Sequence, residues 1–220
     1  MTLSLDIKVL NSTENAEYGK AELCLKKVIK KKLCTEDIKT MLLLDNKLII
    51  GEFLIHYKHF DNNDLKYIAQ YILDNLDNKD RMFVSDLIEF ATYWELQLPY
   101  DKCIEFLTIY KDDNTYVQLA VIDYIFENLK FSKIVKVVAA LQEILNSPNM
   151  NNSLKVKASF VLFRITMKKK YLEDLIDFVI VEDYRELLQN ILKEKYNSQK
   201  YFDYHNLLKF IAHKGGAINN

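Results

Sequence analysis

Apolar residues recur along the chain at intervals of three and four, broken by short polar runs, and this period predicts one helix after another. The expected helices cover 15–33, 48–60, 64–76, 78–96, 99–111, 114–130, 132–146, 153–169, 171–180, 182–196 and 201–214. A further helix opens at Thr35-Glu36-Asp37, with Thr35 as its cap and two carboxylates at the positive end of its dipole. Pro99 marks the first turn of the helix that follows it. The connections are short and polar: DNND at 61–64, DNKD at 77–80, KDDN at 111–114 and SPNMNNS at 147–153. Helices joined in this way are antiparallel neighbours.

The start of the chain breaks the pattern. Leu3, Leu5, Ile7 and Val9 alternate with polar residues, which predicts a short strand or an extended arm within 1–14. Four glycines and two prolines among 220 residues are too few for an all-β fold, whose many turns need them. The expected class is therefore all-α, as stacked antiparallel helix pairs or an irregular bundle. No Pro-, Gly- or Ser-rich linker divides the chain, so one domain is expected over 1–220, with 215–220 a frayed tail.

Segment 114–130 carries the densest apolar run, YVQLAVIDYIF at 116–126. In helical projection Tyr116, Asp123, Glu127 and Lys130 share one narrow stripe, and the remaining positions are mostly apolar. A helix that is apolar on nearly all sides is one packed between neighbours. Asp123 then belongs at an exposed or groove edge, near Lys130 or another cation, where its charge stays wet.

A repeat is visible in the same region. VQLAVIDYIF from Val117 aligns with VKASFVLFRI from Val156, 39 residues further on. Gln118 falls on Lys157, Ala120 on Ser159 and Val121 on Phe160. Each segment follows a polar loop and a preceding amphipathic helix. Asp112, Asp113, Val117, Gln118 and Ala120, with Val156, Lys157 and Ser159 in the second copy, resemble the HEAT and armadillo class of helical repeats. The resemblance is clearest over 99–169. It implies a stack of helix pairs, none of which buries its apolar face alone, presenting an extended concave surface.

Composition narrows the function. The net charge of −1 and pI near 6.4 lack the basic field that nucleic-acid binding requires. One basic run, KKVIKKK at 26–32, reads first as a solvated helix face. Cys24, Cys34 and Cys103 form no CxxC pair and sit in helical patterns as small core residues. An odd thiol count without a basic, long-cored leader points to the cytoplasm, and no run reaches the roughly 20 apolar residues of a membrane span. The richness in Lys, Asn and Ile reads as AT-rich coding and hints at a bacterial source.

No GxSxG, GxxxxGK[ST] or GxGxxG is present, so neither a catalytic set nor a cofactor is expected. Glu52, His56 and His59 share one face of the 48–60 helix at spacings of four and three, a spacing that metal sites use, although a solvated polar face is the plainer account. Three surfaces remain as partner-binding candidates. Arg81, Ser85 and Glu89, with Asp86 and Tyr93 beside them, line one side of 78–96. Tyr116, Asp123 and Glu127 form an acidic stripe, and Lys157, Arg164 and Lys168 a basic one.

By elimination these features point to a non-enzymatic module that grips another protein, such as an inhibitor or immunity protein neutralising a toxin domain with a basic surface. The HEAT-like resemblance also implies an alternative, a DNA glycosylase of the alkylation-repair type, with Trp94 and Glu95, or Asp123, in its working positions. The charge balance opposes it, because phosphate contacts dominate DNA affinity.

Overall fold

A computed structural model describes residues 7–11, 15–109, 115–178 and 185, and its described residues are all-α. The helices are α1 (Ile7–Leu10), α2 (Asn15–Val28), α3 (Thr35–Leu42), α4 (Lys47–His56), α5 (Asn62–Asn75), α6 (Arg81–Tyr93), α7 (Tyr100–Thr108), α8 (Thr115–Glu127), α9 (Ile134–Asn146), α10 (Asn152–Thr166) and α11 (Lys169–Phe178). A 3-10 turn at Phe131–Lys133 leads into α9. Of the expected helix 182–196 only Arg185 is described, in helix; the KDDN loop, 201–214 and the tail lie outside the described residues.

The expected strand is not formed over Ile7–Leu10, which is a helical turn packed on α2. Alternation over so few residues does not separate a strand from one turn of helix, and docking Leu10 into the core settles it.

Polar caps set the helix starts. Asn46 accepts from the Ile49 N–H, Asp80 from Phe83 and Asn151 from Ser153. Asp61 accepts from Asn63 and Asp64, while Asp64 accepts from the Asp61 N–H at 3.0 Å, a reciprocal capping box. Each such cap contributes about 1 kcal/mol. The expected cap at Thr35 shifts by one residue. Cys34 is the N-cap, its backbone N–H and thiol both donate to Asp37, and Thr35 donates instead to Asp64 on α5 at 2.9 Å. Cys34 is thus exposed, not a core thiol, whereas Cys103 is buried and its thiol is pushed up to about 12 by desolvation.

The chain forms two compact units, Met1–Leu98 and Pro99–Asn220. In the first, α4 is the central helix: it packs on α2, α3 and α6, and buries Ile49, Ile50, Gly51, Phe53 and Leu54. Fully burying each of its large apolar side chains contributes about 1.5–3 kcal/mol. Tyr57, just past the end of α4, is also fully buried, and its hydroxyl accepts the Leu33 N–H at 2.8 Å.

In the second unit, α7 packs on α8 and α9, α10 packs on α8 and α9, and α11 covers α10. Two helix pairs therefore lie side by side. α8 buries Val117, Gln118, Ala120, Val121, Ile122, Tyr124 and Ile125, as expected of a helix apolar on nearly all sides. Gln118 is the buried polar exception, and its amide nitrogen donates to the carbonyls of Leu107 and Ile109 at the end of α7.

Candidate functional site

The side chains proposed on α6 do not form one open groove. Ser85 is buried in the core. Arg81 is half-buried, with Nη1 enclosed and making no hydrogen bond among the described residues. Glu89 and Tyr93 are exposed, and Lys58 places its Nζ 4.1 Å from the centre of the Tyr93 ring. Trp94 packs edge-on to Phe60 and Tyr93, with ring centres 5.8 and 5.5 Å away, and its indole N–H is enclosed without a partner among the described residues.

Asp86 sits where α6 meets α4. Gly51 on α4 leaves a notch there, and a Cβ at that position would lie 2.1 Å from Asp86 Oδ2. The carboxylate fills the space a methyl group would take. Burial, followed by the like charges of Glu89, Glu52 and Asp80, pushes its pKa up to about 7. Glu52 in turn holds His56 at 3.0 Å. The acidic face of α4 and α6 thus consists of Glu52, Asp86 and Glu89, with Asp80 at the start of α6.

The Glu52, His56 and His59 set is not assembled. Helix α4 ends at His56, Tyr57 is extended (φ −77°, ψ 128°), and His59 lies edge-on to Tyr57 at 5.6 Å. The shared face existed only if the helix ran on to 60. Among the described residues no group of three His, Cys, Asp or Glu could hold a metal ion. His59 instead borders an open cleft with Lys32, Cys34, Phe60 and Asp64.

On the second unit the two stripes meet each other. Lys157 on α10 donates to Asp123 on α8, and its side chain is only 14% exposed against 49% for the carboxylate. Lys157 is therefore the cation beside Asp123, and Lys130 lies over the Tyr100 ring at 5.2 Å. Asp123→Asn is expected to cost about 1 kcal/mol, because it strips a mostly buried ammonium of its counter-charge. A double-mutant cycle with Lys157→Met, followed by urea unfolding, should give a coupling near 1 kcal/mol, and a coupling of zero would make the pair ornamental.

Glu127 and Arg164 line a small cleft of about 300 Å³ with Phe126, Leu129 and Ile165, at the ends of α8 and α10. The Arg164 guanidinium carbon stands 6.0 Å from the Phe126 ring centre. Lys168 leaves the Lys157–Arg164 stripe, because α10 stops at Thr166 and Met167 turns left-handed at φ 56°. Tyr116 is exposed in the first turn of α8.

Three features were missed in the sequence. Gly51 inside an apolar helix was a visible signal, since an isolated helical glycine usually marks close packing. Lys58 on Tyr93 had none. Phe131 and Val135, 83% and 79% exposed at the head of α9, follow the helical period yet face outward.

Compared with protein-family models, curated proteins and solved structures, the chain finds no match. No helix of the described residues is long and apolar enough to cross a membrane.

Proposed function

We propose that the chain is a non-enzymatic protein-binding module that docks a basic surface on the acidic face of α4 and α6. The observation that carries this reading is Asp86, a carboxylate seated on Gly51 with three like charges acting on it. Such an arrangement costs stability, and costs of this kind persist where the charge is used. Glu52 and Glu89 extend the negative field, and exposed Tyr93 offers an amphipathic contact at its edge.

The finer reading is an inhibitor or immunity protein that neutralises a toxin domain in the cytoplasm. The side-by-side helix pairs of α7–α8 and α9–α10 support the HEAT-like resemblance and, with it, a surface built for a partner. The glycosylase alternative gains nothing from its candidate residues: Trp94 is packed among Phe60, Phe90 and Tyr93, and Asp123 is engaged by Lys157.

The test is co-purification with the product of the neighbouring gene. Retention is expected to fall at least tenfold with Glu52→Lys plus Glu89→Lys and to stay unchanged with Lys136→Glu on α9. Retention unaffected by the α4–α6 reversal removes this face, and absence of any complex counts against the module itself.

A further inference from the structure

We propose that the seat of Asp86 on Gly51 makes the contact between α4 and α6 a pH-sensitive latch, closed when the carboxyl group is neutral and loosened when it ionises. This goes beyond the binding role and does not depend on it.

The geometry comes first. The missing Cβ of Gly51 lets α6 bring Asp86 onto the backbone of α4, with Cγ 3.0 Å and Cβ 3.3 Å from the position a methyl would occupy. The side chain is short and half-buried where the two helices meet, so its carboxyl group is partly withdrawn from water. The groups acting on it are carboxylates from both helices. Glu52 faces it from α4, with His56 bound to Glu52; Glu89 faces it from α6, and Asp80 from the cap of α6. A neutral carboxyl fits this seat at low cost. An ionised one loses hydration and repels three neighbours of its own sign.

The direction of the pH effect follows from where the proton is held. The native carboxyl keeps its proton up to about 7, whereas in the unfolded chain it is lost near the ordinary 3.8. The native state thus binds more protons between those values, and this contribution to stability is fully present below about pH 4 and is lost as pH rises to about 7. Near neutrality Asp86 lies at its midpoint, where small pH changes alter its charge most.

Three measurements test the latch on the full chain. Carboxyl-carbon NMR of aspartate-labelled protein, with the Asp86 resonance assigned by its loss in Asp86→Asn, should titrate near pH 7; a midpoint below 5 overturns the proposal. Asp86→Asn should melt about 5 °C above the wild type at pH 8, with the difference narrowing as pH falls and closing only near pH 4, whereas parallel curves overturn it. Hydrogen exchange of the wild type alone should show peptides of α4 and α6 opening several-fold more at pH 8 than at pH 6, after correction for intrinsic rates, with peptides of α9 and α10 unchanged. Uniform or absent change overturns the latch even if the variant fails to fold.

Discussion

Gly51→Ala is expected to destabilise the protein by about 2 kcal/mol, although alanine is the better helix former by about 1 kcal/mol. The added methyl would stand 2.1 Å from Asp86 Oδ2, 3.0 Å from Cγ and 3.3 Å from Cβ. Rotating the carboxylate relieves the first two contacts, and the third requires α4 and α6 to give by a few tenths of an ångström. The second variant makes the cause specific. Asp86→Ala removes Oδ2 and Cγ, and in that background Gly51→Ala should cost at least about 1 kcal/mol less than alone. Urea unfolding followed by circular dichroism measures both. A neutral Gly51→Ala, or strictly additive variants, would show that the notch is not needed.

Gln118→Met should cost about 2–3 kcal/mol, the second large effect. The substitution keeps length and removes the amide nitrogen that donates to Leu107 O at 3.1 Å and Ile109 O at 3.3 Å. Those carbonyls lie at the end of α7, where helical partners run out, and the buried Leu107 carbonyl would lose the amide that donates to it. Loss of the hydrogen bonds acts on the α7–α8 connection, so exchange protection should fall in peptides of those helices first. A cost below about 0.5 kcal/mol would mean that water replaces the amide.

Gln118 and Lys157 also show how far the repeat could be read. The alignment at a spacing of 39 residues pairs them, and both lie in the first two turns of their helices. Their tasks differ: Gln118 closes the end of α7, whereas Lys157 reaches back to Asp123 on α8. A common sequence position predicted a common backbone position and left the side-chain partner open. The same limit applies to the candidate sites. Asp86 and Glu89 were correctly placed on one helix, but Ser85 beside them faces the core and Asp86 faces Gly51.

What the sequence determined by itself is the helical content and most helix starts. Periodicity and a proline are relations within four residues and hold in any tertiary setting, whereas the one cap read from the sequence, Thr35, lies a residue beyond the actual cap at Cys34. The helical projection also marked α8 as a helix enclosed by others, because an apolar surface on nearly all sides has no other stable place. The tertiary structure decided which charges meet. Asp123 and Lys157 are 34 residues apart, and Gly51 and Asp86 are similarly distant. Such pairs depend on the rotation and approach of two packed helices, which no local pattern encodes. The distinction is sharpest for the two aspartates. Each sits in an apolar helix, yet Asp123 finds an ammonium on the facing helix and Asp86 finds a glycine notch and three carboxylates.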